Sequence, residues 1–164
     1  MSSQDRDFEC QDFALHSTLD RQYAYFAITS DEAIASNVDL IPLEPSRYWN
    51  AGEKVIRAGR DYTRRGSRWV LESGFDESVG LEEHIQAVVE KIGSVSSLLK
   101  ELPEHCESAI VCVSFSVQSS GFKLSPALLK QIADLDIYLE YDFYANVDPH
   151  DELADLRSLI PRDK

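Results

Sequence analysis

The stretch SAIVCVSFSVQSSGFKLSPALLKQIADLDIYLEYDFYA, Ser108–Ala145, decides the fold. Its beginning alternates, with Ala109, Val111, Val113, Phe115 and Val117 on one face of an extended chain and Ser114, Ser116 and Gln118 on the other. A period of two is a strand. A helix start follows, with Ser125 able to cap it and Pro126 at its first position, where the missing N–H costs nothing. Leu128, Leu129, Ile132 and Leu135 make the expected apolar face of that helix. IYLEYDFYA alternates again, Ile137, Leu139, Tyr141 and Phe143 against Glu140 and Asp142, which predicts a last core strand. One-sided alternation implies a sheet packed on helices from one face and wet on the other. The strands of a doubly wound sheet would be apolar throughout. The expected class is therefore α+β, a single mixed or antiparallel sheet of about four to five strands with two main helices packed on one face.

Upstream of that stretch lies the clearest helical pattern, from Val79 to Leu102. Leu81, Ile85, Val88, Val89, Ile92, Leu98, Leu99 and Leu102 form one stripe, Pro103 stops it, and Gly93 marks a bend or a close contact. Further back, QYAYFAIT, Gln22–Thr29, is an aromatic strand. DEAIASNV after it predicts a short helix capped by Ser30, ended by the prolines of LIPLEPS. SRWVLES, Ser67–Ser73, is another strand, and Gly52, Gly59 and Gly66 before it point to turns or a hairpin. The expected organisation is a polar N-terminal arm (1–20), an α+β core (21–146) and a C-terminal extension (147–164). In the arm, FALHS, Phe13–Ser17, could pair on a sheet edge; in the extension, Asp148 and Pro149 could start a helix with Leu153, Leu156 and Ile160 on one side.

Composition limits function. A chain of 164 residues buries roughly 70% of its unfolded surface without a disulfide or metal. Its 29 acids against 16 bases, net charge −13, argue against nucleic acid, since phosphate binding releases counterions only against a basic face. The same charge suits a basic partner. The N-terminus lacks the apolar core of a signal peptide, and no run is long enough to span a membrane. Cys10, Cys106 and Cys112 form no C-x-x-C pair and suit a reducing compartment. A cytoplasmic location is expected.

One segment runs against the overall charge. LEPSRYWNAGEKVIRAGRDYTRRGSRWVLES, Leu43–Ser73, holds seven of the sixteen Lys and Arg residues, four acids and both tryptophans. Tyr48 and Trp49 beside Arg47 could stack on a base, a sugar or a partner's side chain, or Trp49 could close the end of the sheet. Lys54, Arg57, Arg60, Arg64, Arg65 and Arg68 either bind an external anion or pair with the chain's own carboxylates. Other chemistry has little footing. His84 has no ligating residue one turn away on its helix, His105 and Cys106 are adjacent, and DPHDE suits a helix start better than a metal. No Gly-rich phosphate loop, G-x-S-x-G or H-E-x-x-H occurs. Lys123 lies near the helix start at Ser125, where an anion would compete with the cap.

The order of features resembles a bacterial family known as domain of unknown function 4279. The shared features are the aromatic strand, LEPSRYWNAGE (Leu43–Glu53), WVLES (Trp69–Ser73), a helix like LEEHIQAVVEKI, and an ending like GFKLSPALLKQIADLDIYLEYDFY. The resemblance runs from about Tyr23 to Tyr144 and implies no catalytic residues; relatives among toxin-immunity systems imply an immunity-type role. The expected function is a non-enzymatic cytoplasmic binding protein, without cofactor or metal, that acts as an immunity-type or regulatory partner of another protein. That partner would be basic, or a toxin; nucleic acid and membrane are not expected, and IYLEYDFYA could pair two copies across a two-fold axis. The alternative is a binder of a small anionic ligand or nucleotide through Trp49–Arg68.

Overall fold

The computed structural model describes residues 20–57, 59–116 and 121–145, and Arg57 by its backbone alone. The expected edge pairing of Phe13–Ser17 and the helix after Asp148 lie outside the described residues, as do Val117 and Gln118. The fold is α+β. Strands β1 (Arg21–Ser30), β2 (Arg47–Trp49), β5 (Ser67–Glu72), β6 (Glu107–Ser116) and β7 (Tyr138–Ala145) form a five-stranded mixed sheet in the order β2-β5-β1-β6-β7. Strands β3 (Lys54–Arg57) and β4 (Arg60–Thr63) form a separate hairpin. Four helices are described: α1 (Ala35–Val38), α2 (Leu81–Gly93), α3 (Ser96–Lys100) and α4 (Pro126–Leu135).

The aromatic, β-branched β1 is central and pairs antiparallel with β5 and with β6. β2 extends the sheet beyond β5, antiparallel, and β7 extends it beyond β6, parallel. A parallel neighbour requires a crossover, which α4 supplies. Ser125 caps α4 as its sequence predicts, its Oγ accepting from the Leu128 N–H at 3.3 Å. Asp136, at φ 58°, closes the helix in the left-handed region and turns the chain into β7. The tip of the β3–β4 hairpin includes Gly59 at φ +73°, where a Cβ would be strained.

The main core joins Ala24, Phe26 and Ile28 of β1, Trp69 and Leu71 of β5, and Ile110 and Cys112 of β6 to the apolar faces of α2 and α4. Trp69 is buried edge-on against Phe26, ring centroids 6.1 Å apart. Two expectations about faces change here. The set Ala109, Val111, Val113 and Phe115 lies on the sheet face away from that core, while the helix-side positions are Ile110, Cys112 and the buried Ser114. Nor is this second face wet at its centre, for Ala27 and Val70 are each 1% exposed and Val111 2%. A central strand is apolar on both faces, and the serines at the end of β6 disguised its helix side as polar.

Other differences are local. The long helix breaks after Gly93, Ser94 donating its hydroxyl to the Lys91 carbonyl at 3.0 Å, and resumes as α3. Ser30 ends β1 instead of capping α1; its Oγ accepts from the Glu32 N–H at 3.0 Å, a turn that delays the helix to Ala35. Leu129 of α4 is exposed, and the helix buries Leu128, Ile132 and Leu135 instead. β7, expected as a core strand, is an edge strand whose eight residues are all exposed.

Candidate functional site

β7 lies outermost on the sheet, and no described strand pairs with its outer edge. Register with β6 assigns its faces. Leu139, Tyr141 and Phe143 sit beside Ile110, Cys112 and Ser114 on the helix side, and Tyr138, Glu140, Asp142 and Tyr144 beside Ala109, Val111, Val113 and Phe115 on the second face. Tyr138 is 62% exposed and Tyr144 50%, and Leu139, Tyr141 and Phe143 are also exposed. Phe122 braces Tyr141 at 5.0 Å between ring centroids. Neither Glu140 nor Asp142 makes an ion pair with a described residue. Five large hydrophobic or aromatic side chains thus flank a strand edge that no described strand pairs with, and an edge of that kind presents N–H and C=O groups able to pair with another strand.

From this margin a line of rings and cations crosses the second face. Tyr144 stacks on Phe115 at 4.9 Å, and the Arg21 guanidinium lies 4.0 Å from the Phe115 centroid. Tyr23 follows, 6.4 Å from Phe115 and 6.2 Å from Tyr25. The Tyr25 hydroxyl accepts from Arg68 Nη2 at 2.9 Å, and Arg47 lies 6.0 Å from the ring centroid. Beyond them Arg64 covers Trp49 at 4.4 Å. Burial first, then Glu77, raises the Tyr23 pKa above its ordinary value; burial also raises that of Tyr25, against the opposing pull of Arg68. Both phenols therefore stay protonated at neutral pH.

The cation-rich segment thus disperses. Arg47, Trp49 and Arg68 share the second face by register, whereas Tyr48 points with Trp69 to the other side, where its hydroxyl accepts from Asn50 Nδ2 at 2.6 Å. Arg47 pairs with Glu72 at 3.1 Å, and Arg64 lies 3.9 Å from Glu53. Lys54, Arg60 and Arg65 are exposed and make no ion pair with a described residue; Arg57 is placed only as the end of β3. The depression beside Trp49 and Arg68 also admits Asp31, Glu107 and His105, so two carboxylates face any anion entering it. Asn50 is the hinge of the segment: its Oδ1 accepts from the Ile34 N–H at 2.9 Å and its own N–H donates to Glu53 at 2.7 Å.

A buried polar pair went unnoticed in the sequence. His84 is fully buried on α2, its Nδ1 2.5 Å from the Ser73 Oγ and its Nε2 3.2 Å from the Asp76 carbonyl. These contacts fit a neutral ring that donates from Nε2 and accepts at Nδ1. Burial lowers its pKa, opposed by the hydrogen bond to Asp76 and by Glu83, Asp76 and Glu77. Ser73 Oγ also accepts from the Phe75 N–H at 3.2 Å, and Lys91 Nζ donates to the Glu72 and Ser73 carbonyls at 2.9 and 2.7 Å. Together they strap the 73–80 loop to α2. The signal was legible, for position 84 completes the 81, 85, 88 stripe. With both ring nitrogens engaged and no exposure, the pair holds structure and presents no base to a substrate.

Among the described residues no group of three or more His, Cys, Asp or Glu is placed to hold a metal, and no helix is long and apolar enough to cross a membrane. Cys112 is buried and Cys106 half-buried, both as free thiols.

The described residues thus form a mixed five-stranded α+β sheet with an aromatic edge strand and a cation–ring line across one face. The family is shown by sequence: the model of a family described as a domain of unknown function, DUF4279, matches residues 20–146, and the chain belongs to that family. No curated protein and no solved structure matches significantly.

Proposed function

We propose that the protein is a non-enzymatic binding protein that engages another protein by strand addition at β7. One observation carries the reading: an eight-residue strand exposes Tyr138, Leu139, Tyr141, Phe143 and Tyr144 around a backbone edge unpaired among the described residues. Soluble domains protect such edges with charge, proline, bulges or a covering element, and an edge kept open and aromatic is suited to a partner. The net charge of −13 favours a basic partner and fast, salt-sensitive association. An immunity-type or regulatory role in the bacterial cytoplasm fits this chemistry, the bound protein being held inactive or retained.

The test compares the wild-type chain with a Tyr141→Lys/Phe143→Lys variant as bait in extract of the native host, at low and high salt. A stoichiometric protein captured only by the wild-type chain is expected. Hydrogen exchange of the captured complex should show residues 138–145 protected. Capture that persists in the variant, or leaves those amides unprotected, would falsify the edge as the binding site.

A further inference from the structure

The partner's chemistry can be taken further, resting on the edge-strand reading above. A second copy of this chain is the first occupant to consider, and β7 suits it poorly. Across a two-fold axis two β7 strands run antiparallel, and directly opposed residues share a face. A register centred on Tyr141 sets Glu140 against Asp142 twice; centring on Glu140 or on Asp142 sets that acid against itself. Like charges directly opposed destabilise a sheet. Centring on Phe143 avoids this but pairs only residues 141–145 of the strand, and centring on Leu139 pairs still fewer.

The same two acids define what fits. Glu140 and Asp142 are exposed on the second face, flanked by the rings of Tyr138 and Tyr144, and neither has a cationic partner among the described residues. On the helix side the matching row is apolar, Leu139, Tyr141 and Phe143 with Phe122 behind Tyr141. An incoming strand meets both rows at once, because its side chains alternate between the faces. We infer that β7 accepts, as a sixth strand, an extended segment of a partner protein in which Lys or Arg alternates with apolar residues. The cations stand opposite Glu140 and Asp142 and between the two tyrosine rings, and the apolar side chains continue the Leu139–Phe143 row. Backbone pairing supplies attachment, and the two acids select the sequence.

The test uses three peptides on the full chain: one alternating Val and Lys, one alternating Val and Glu, and one with the composition of the first but its Val and Lys in separate blocks. Fluorescence anisotropy measures binding at low salt and at about 0.5 M NaCl, where screening leaves little reach to exposed charges. The alternating Val/Lys peptide should bind about tenfold more tightly than either control at low salt, lose that margin in salt, and protect residues 138–145 from exchange. Glu140→Lys with Asp142→Lys, both at exposed positions, should transfer the preference to the Val/Glu peptide. Equal binding of the blocked peptide would reduce the effect to general attraction by an acidic protein and overturn the inference. An unchanged preference in the double variant would overturn it too. Dimerisation through β7 in sedimentation would make a second copy the occupant, and protection of 138–145 in the isolated monomer would make it a segment of this chain; either overturns it. If no peptide binds, the alternating chemistry fails while the capture experiment still decides the edge reading separately.

Discussion

β6 and β7 are neighbours in one sheet, similar in length and both alternating in sequence, yet their environments are opposite. Ile110 of β6 is fully buried, while Leu139, its register partner on β7, is 37% exposed. Cys112 is fully buried and its partner Tyr141 is exposed. β6 lies between two strands and under helices, whereas β7 has one neighbouring strand among the described residues. A pattern of alternate side chains creates a strand, and the number of its neighbours determines whether that strand is core or surface. The same difference separates core from margin among the described residues: β6 holds the fold, and β7 is the strand on which the proposed recognition rests.

The sharpest way to break the comparison is to truncate register partners. Ile110→Ala should lower unfolding free energy by about 2–5 kcal/mol in urea titration, and Leu139→Ala by less than about 1 kcal/mol. Equal losses would mean β7 is as enclosed as β6. Thiol chemistry sharpens it next. Burial pushes the Cys112 pKa from 9.0 up to about 12, so its thiolate is about a thousandfold scarcer than that of an ordinary thiol. Cys112 should resist alkylation at pH 8 until denaturant is added, whereas a cysteine placed at its β7 partner, Tyr141→Cys, should react in the native protein.

The buried His84 gives a pH-dependent effect. Its folded pKa lies below the ordinary 6.5, so the unfolded chain takes up a proton first as the solution is acidified. Its contribution is fully present above pH 6.5 and is lost as pH falls through the folded pKa. Thermal unfolding should show Tm falling across that window, and His84→Gln should flatten the dependence while lowering stability at neutral pH. The smallest change belongs at the other edge of the sheet. Arg64→Ala removes a cation over Trp49 and should cost about 0.5–1 kcal/mol, with the Trp fluorescence shifted and the fold retained.

Much of the architecture was legible because it is written in short-range chemistry. The Ser125–Pro126 start of α4, the stripe of α2, the bend at Gly93 and the aromatic β1 each follow from a local preference. The site was less legible. Arg47, Trp49 and Arg68 meet on one face only because β2 and β5 pair antiparallel in a particular register, which also sends Tyr48 to the opposite side. Tyr25, Arg21 and Phe115 join that face from strands distant in sequence, and no spacing announces them.

The sequence by itself determined the class of fold, most of the elements, the acidic composition and the family, since periodicity, capping and composition act over a few residues or over the whole chain at once. Only the tertiary structure decided which face of β6 meets the helices, that His84 and Ser73 form a buried strap, and that IYLEYDFYA lies outermost among the described strands instead of within the sheet. The physical reason is that burial depends on neighbours. A strand carries the same alternation wherever it sits, and strand order, set by the packing of the whole sheet on its helices, decides whether those side chains become core or margin.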